Sequence, residues 1–389
     1  MRYNRIMKKR RILFVTERRA DYSRLNPLLQ AAKASKRIEP LLVVAGAHLL
    51  EKLGKTKNII RKDGFHIDEE LPTLGERDPD TGEAMAKAFG RAVMGMANII
   101  TKLKPDVVCT GFDLGCNLAA AIVSMHMNIP VAHIEGGGQS GSIDEVFRHA
   151  LTKFSHIHFP ASAEAKKRII RLGENPRYVF AVGSLSLDAI KKNSYMPRAK
   201  LFQRFKLNPA KKLILFLQHP VTTEVAGAKK QIQESIAALR GTTKRFDIQV
   251  FAILGNSDAG GRGMARALVR SGIRTEPNVA HEDFLSFMKV ADVLVGNSSA
   301  GIQEAPSFGL PVVNIGTRQQ FRERGVNVID VPHERKEIVA AIKKSLFDEK
   351  FIAKAKRGKN PYEGGNTAKK IVKILETIEL PPIQKVMYN

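Results

Sequence analysis

Residues 131–154 read VAHIEGGGQSGSIDEVFRHALTKF, and the whole chain can be parsed outward from them. Val131 to Ile134 is a short run with strand character. An acid, Glu135, and three glycines, Gly136 to Gly138, follow it. The Ser142-x-x-Glu145 spacing then fits a capping box, so Asp144 and Glu145 open a helix with Arg148 one turn below Asp144 on the same face. Strand, glycine turn and helix make one βα unit. A short apolar run with such flanks suits a parallel strand buried on both faces.

The same unit recurs on either side. Runs at Ile12 to Thr16, Ile38 to Val44, Val107 to Thr110, His156 to Phe159, Leu213 to Gln218, Ile248 to Leu254, Val293 to Val295 and Val312 to Ile315 alternate with longer amphipathic stretches. Parallel strands joined by right-handed crossovers produce this alternation, so the fold class is doubly wound α/β. A chain of 389 residues exceeds one ordinary core. Two Rossmann-like domains are expected, divided in the basic, proline-bearing segment Lys191 to Pro209. The expected layout is residues 1–190, residues 191–366 and a C-terminal helix with its tail over 367–389. Helical periodicity runs from Thr367 to Ile378 before Pro381 and Pro382 break it. Ligands of open parallel sheets sit beyond the carboxyl ends of the strands, which places a ligand in the cleft between the two domains.

Composition excludes several classes. With 43% hydrophobic and 26% charged residues the chain is globular rather than disordered. The N-terminus has only four consecutive apolar residues, Ile12 to Val15, too few for a secretory signal, and no run reaches the roughly 20 residues that span a bilayer. A cytoplasmic protein without membrane partners is expected. Cys109 and Cys116 form neither a disulfide framework nor a metal spacing, so both are read as reduced and structural, and no metal or cofactor is implied. The formal charge is +25, from 63 Lys+Arg against 38 Asp+Glu, and attracts anions. The basic residues are nevertheless spread along helical segments, aromatics are only 6%, and there is no Trp, so no specific nucleic-acid site is expected.

The chemistry-bearing residues fall at strand ends. Asp21 is placed to cap a helix from Tyr22 to Ala34, leaving Arg19 on a strand-end loop where its guanidinium can grip a phosphate. Glu135, Asp113 after the strand at 107–110, and Asp144 form a set of carboxylates suited to proton transfer at a sugar carbon. In the second half His219 lies at a strand tip, where it can donate to a leaving phosphate. The run Gly296 to Pro306 joins a strand to a helix whose N-terminus, with the Ser298 and Ser299 hydroxyls, forms an anion site. Glu304, near the end of the second turn, can accept from ribose hydroxyls, and Gly309 closes the helix. Arg318 and Arg322 add cations for a diphosphate. The glycines from Gly255 to Gly263 lack the ending of a P-loop, and no dinucleotide fingerprint follows the first strand.

Taken together, RADYS at 19–23, HIEGGGQSGSIDEVFRHALTK at 133–153, LQHPVTT at 217–223 and GNSSAGIQEAPSFGLPVVNIGTRQ at 296–319 resemble the hydrolysing UDP-N-acetylglucosamine 2-epimerases of sialic-acid-type sugar synthesis. The motifs keep the family's order along nearly the whole chain. The resemblance implies a glycosyltransferase-B-like fold with the C-terminal helix crossing back to the first domain, and a homodimer or homotetramer. It implies that Asp113, Glu135 and Asp144 surround the sugar while Arg19, His219, Ser298, Ser299, Glu304 and Arg318 contact UDP. The implied reaction eliminates UDP and hydrates a 2-acetamidoglucal, releasing N-acetylmannosamine. Two positions depart from the pattern: Phe112-Asp113-Leu114 replaces a Gly-Asp-Arg turn, and Gly138 stands where an acid commonly follows the double glycine. These departures point to the alternative substrate UDP-N,N'-diacetylbacillosamine. A UDP-sugar glycosyltransferase of the same fold is the further alternative.

Overall fold

The computed structural model describes residues 8–79, 81–112, 115–255 and 260–388. Among the described residues twelve strands form two sheets, every pairing parallel. The first holds β1 (Arg10–Thr16), β2 (Ile38–Ala45), β3 (Glu69–Leu71), β4 (Val107–Gly111), β5 (Val131–Ile134) and β6 (Ile157–Phe159) in the order β3-β2-β1-β4-β5-β6. The second holds β7 (Lys212–Leu217), β8 (Ile248–Ile253), β9 (Arg274–Glu276), β10 (Val293–Gly296), β11 (Val312–Ile315) and β12 (Val328–Val331) in the order β12-β11-β10-β7-β8-β9. Both orders are the Rossmann order, with the reversal at β1/β4 and at β7/β10.

Burial on both faces explains why these runs are strands. In β1, Ile12 and Phe14 pack with Leu25, Leu28 and Leu29 of the helix Arg19–Ala34, while Leu13 and Val15 pack with Met96 and Ile100 of the helix Gly82–Leu103. In β7, Ile214 and Phe216 meet Ile232 and Leu239, and Leu213 and Leu215 meet Phe202 and Phe287. Alternate residues of one strand thus serve two separate cores. Each fully covered Leu or Phe contributes on the order of 2 kcal/mol through removal of apolar surface from water.

The chain divides into two compact units. The first contains the chain to Gly138, Asp144–Ala189 and Tyr362–Asn389; the second contains Gln139–Ile143 and Ile190–Pro361. In the first unit the helix Thr367–Thr377 packs on Arg19–Ala34. Asp188 fixes it by accepting from the Thr367 and Ala368 amides at 3.0 and 2.7 Å, and Arg10 donates to the carbonyls of Leu375 and Ile378. Beyond that helix the Lys385 ammonium reaches Glu174 at 2.7 Å. Glu174 also meets Lys153 at 2.7 Å and His158 at 3.2 Å, and is itself 2% exposed. Burial pushes the Glu174 carboxyl up, but hydrogen bonds from His158, Lys153 and Lys385 outweigh it and hold the group at about 2.

That cluster generates a stability prediction. A depressed carboxylate stabilises the fold above its unfolded pKa of about 4.3, and the contribution is lost as pH falls toward about 2. Glu174→Ala, which removes the carboxylate partner of half-buried Lys385 and leaves it only the Thr152, Lys153 and Ser155 carbonyls, is expected to cost roughly 1.5–3 kcal/mol at pH 7 in denaturant unfolding, and clearly less at about pH 3. A cost independent of pH would contradict the ionised cluster.

Candidate functional site

In the first unit Glu17 and Glu135 stand at the carboxyl ends of β1 and β5. Glu17 follows β1. Its carboxylate accepts the Cys116 amide at 3.1 Å, and burial pushes it above the usual carboxylate range. Asp113, expected after β4, lies outside the described residues. Glu135 follows β5 with φ of +58°, a left-handed conformation that a residue with a Cβ adopts at a cost of order 1–2 kcal/mol. The turn is held on both sides. Glu135 donates its amide to the Phe159 carbonyl at 2.9 Å, and a Cβ on Gly136 would fall 2.5 Å from the His133 ring. The Glu135 Oε1 accepts from Ser184 Oγ at 2.6 Å and from the Leu185 amide at 3.1 Å.

Three local expectations change. Arg19 is the first residue of the helix Arg19–Ala34 rather than part of a loop. Asp21 is therefore not the cap: from the third helical position it accepts the Glu17 and Arg18 amides at 2.8 and 2.9 Å, with Thr16 Oγ1 at 3.0 Å. These preceding amides would otherwise lack partners at a helix start, so the acid folds the entry over itself. The helix Asp144–Phe154 does open with Asp144, but that leaves Ile143 rather than Ser142 immediately before it. The Asp144 carboxylate takes no hydrogen bond from a described residue, and Arg148 donates to the Gly138 carbonyl at 3.0 Å, bracing the glycine turn.

In the second unit the tips of β7 and β10 come together through Asn297. Its side chain accepts the His219 amide at 2.7 Å and donates to the His219 carbonyl at 2.9 Å. Its own carbonyl accepts from Arg318 at 3.2 Å and from Gln319 at 3.0 Å. Close approach requires Gly296: at φ of +135° a Cβ there would sit 1.8 Å from the Leu217 carbonyl oxygen. His219, Ser298 and Arg318 are thus brought into one neighbourhood, with buried Glu304 on the following turn. Gly141 donates its amide to the Arg318 carbonyl at 3.1 Å, which fastens the segment Gln139–Ile143 to this loop.

The expected two-turn helix is absent. A single α-turn, Ala300–Gln303, is followed by a 3-10 turn, Ala305–Phe308, because Pro306 has no amide hydrogen to continue the ladder. Glu304 joins the two turns, and Gly309, at φ of +62°, ends them. Four residues build little macrodipole, so an anion here depends on the local amides and on Ser298 and Ser299 more than on a helix end. Arg19, Glu135 and Asp144 belong to the first unit, and His219, Ser298, Ser299, Glu304 and Arg318 to the second.

Residues 30–376 match the family model described as UDP-N-acetylglucosamine 2-epimerase. The chain belongs to that enzyme family. It is 37% identical over 376 residues, 95% of this chain and 97% of the relative, to a UDP-N,N'-diacetylbacillosamine 2-epimerase (hydrolyzing) of Legionella pneumophila. It is 31% identical, over 96% of each chain, to a UDP-N-acetylglucosamine 2-epimerase of Neisseria meningitidis. The solved structure of the Neisseria meningitidis UDP-GlcNAc 2-epimerase bound to UDP-GlcNAc matches with a TM-score of 0.79 at 19% identity, covering 94% of this chain and 99% of that one. The glycosyltransferase-B-like fold expected from the motifs is the fold of this 2-epimerase family.

Four residues at or beside these strand tips escaped the sequence reading: Glu17, Arg24, Ser184 and Asn297. Glu17 and Asn297 stand inside motifs that were read for their neighbours. Ser184 and Arg24 carry no signal of their own, because only the fold puts them beside Glu135. Asn297→Ala removes two hydrogen bonds and leaves the His219 amide unpaired; it is expected to cost roughly 1–3 kcal/mol in denaturant unfolding and to accelerate amide exchange at His219. Unchanged exchange at His219 would contradict the bracing role.

Proposed function

We propose that the protein is a hydrolysing UDP-N,N'-diacetylbacillosamine 2-epimerase. The observation that carries the choice of substrate is the 37% identity, across nearly the whole length of both chains, to the Legionella pneumophila protein of that name. A Campylobacter jejuni GDP/UDP-N,N'-diacetylbacillosamine 2-epimerase (hydrolyzing), 32% identical over 83% of this chain, supports it. The departures at Phe112, Leu114 and Gly138 agree with a sugar differing from N-acetylglucosamine. UDP-N-acetylglucosamine, with N-acetylmannosamine as product, is the second reading, favoured by the 31% identity to the Neisseria meningitidis protein.

The reaction divides into two steps. A carboxylate removes the proton at C2 while the C1–O bond to UDP breaks, giving a glycal; water then adds to C1 as a proton returns to C2 from the other face, and the free epimerised sugar leaves. Glu135 suits the proton-transfer work because its carboxylate has one oxygen tied by Ser184 and Leu185 and the other outside that pair of bonds. Asp144 and Asp113 are the further acids assigned to the sugar. Arg19, His219, Ser298, Ser299 and Arg318 are assigned to the diphosphate, where negative charge grows as the bond breaks and fixed donors stabilise it most. Glu304 is assigned to the ribose hydroxyls.

UDP release and free sugar should be followed with both UDP-sugars. UDP-N,N'-diacetylbacillosamine is expected to give a kcat/KM at least roughly tenfold above that of UDP-N-acetylglucosamine, a margin within reach of contacts to one substituent. The reverse ratio selects the second reading. Glu135→Gln is expected to lower kcat by about 10²–10⁴ while leaving UDP affinity within a few fold; wild-type kcat in that variant removes Glu135 from the chemistry.

A further inference from the structure

Glu135 is held where it is from outside its own strand. The segment that grips it, Ser184 and Leu185, opens the helix Leu185–Lys192. Ser184 is fully buried and donates its hydroxyl hydrogen to Glu135 Oε1 at 2.6 Å. With that hydrogen committed, the 2.9 Å contact between Ser184 Oγ and Ser186 Oγ has Ser186 as the donor. The Leu185 amide at 3.1 Å completes the set on Oε1. Oε2 takes no hydrogen bond from a described residue, and Arg24 stands 3.9 Å from it. The grip is anchored in turn by the end of the chain. Ser184 donates its amide to the Tyr362 carbonyl at 3.0 Å, Thr367 Oγ1 donates to the Val182 carbonyl at 3.0 Å, and Asp188 accepts from Thr367 and Ala368.

We propose that Ser184 is a positioning residue for Glu135: with Ser186 behind it, it fixes the carboxylate by Oε1 and so reserves Oε2 as the oxygen that exchanges a proton with the sugar. The inference rests on the catalytic assignment of Glu135 made above. One physical point carries it. A carboxylate whose backbone is left-handed and whose side chain is fastened by one oxygen has little freedom to present the wrong one, and productive proton transfer needs placement to within a few tenths of an ångström. The other charged or titratable groups around this turn act on different atoms: Arg148 binds the Gly138 carbonyl, Arg168 the Gly137 carbonyl, and burial keeps His133 neutral beneath Gly136. Among the described charged groups, Arg24 is the one placed to act on the carboxylate itself.

The test uses the full chain with Ser184→Ala, Ser184→Thr and Ser186→Ala. Loss of the Ser184 hydroxyl is expected to lower kcat roughly tenfold or more, with KM and UDP affinity within about twofold. Ser184→Thr keeps a hydroxyl and is expected to restore most of kcat, and Ser186→Ala to lower kcat by a smaller factor with KM again unchanged. Wild-type kcat in Ser184→Ala, beside an active wild type, would overturn the inference while leaving the function standing. A wild type that turns over neither UDP-sugar overturns the function and this inference with it. If Ser184→Ala fails to fold, Ser186→Ala decides, and wild-type kcat there counts against the proposal.

Discussion

A parallel sheet covered on both faces leaves no room along its strands for charge. In both units the strand interiors are buried to completion, Ile12, Leu13 and Phe14 in one and Leu213 to Phe216 in the other. Polar groups that must meet a substrate are therefore pushed to the carboxyl ends, where the chain leaves the sheet and the amides of the next helix are unpaired. Those ends are also where backbone conformation is most demanding. Glu135 is left-handed, and Gly296 occupies a region closed to any side chain. The strain at Glu135 persists because the surrounding bonds over-determine it, from Phe159 on the neighbouring strand to Ser184 at the start of a helix.

The same constraint decides what could be read from sequence. Interior strands such as β5 and β11 are buried throughout and mostly apolar, and their bounds were legible to the residue. The three strands that were not foreseen, β3, β9 and β12, all lie at sheet edges. β3 is Glu-Glu-Leu and β9 is Arg-Thr-Glu, so neither carries an apolar run; edge strands are short and charged because one side lacks a pairing partner. Helix starts were legible to within a few residues, and the errors have local causes. Asp21 acts from the third position instead of the cap, and Pro306 divides what periodicity presents as one helix.

Site residues within one motif were legible because the βα turn itself assembles them. Glu135 and its glycines are one such turn, and Gly296 with Ser298 and Ser299 another. Partners brought from far along the chain were not. Ser184 lies 49 residues from Glu135 and the Tyr362 carbonyl that supports it lies far beyond. Asn297 and His219 are 78 residues apart, joined by two hydrogen bonds that only the β7–β10 pairing makes possible. The C-terminal return through Thr367, Asp188 and Lys385 is likewise a product of topology. A substrate assigned from one acid at a time misses this second layer, although it sets how firmly the first is held.

The proposed reaction breaks a sugar–nucleotide bond by way of proton removal at C2. The most direct measurement is the isotopic content of the released sugar after turnover of the UDP-sugar in deuterium oxide. UDP is expected together with a free 2-epimerised sugar carrying one deuterium at C2. A free sugar with its original hydrogen at C2, or an epimer still joined to UDP, would contradict it.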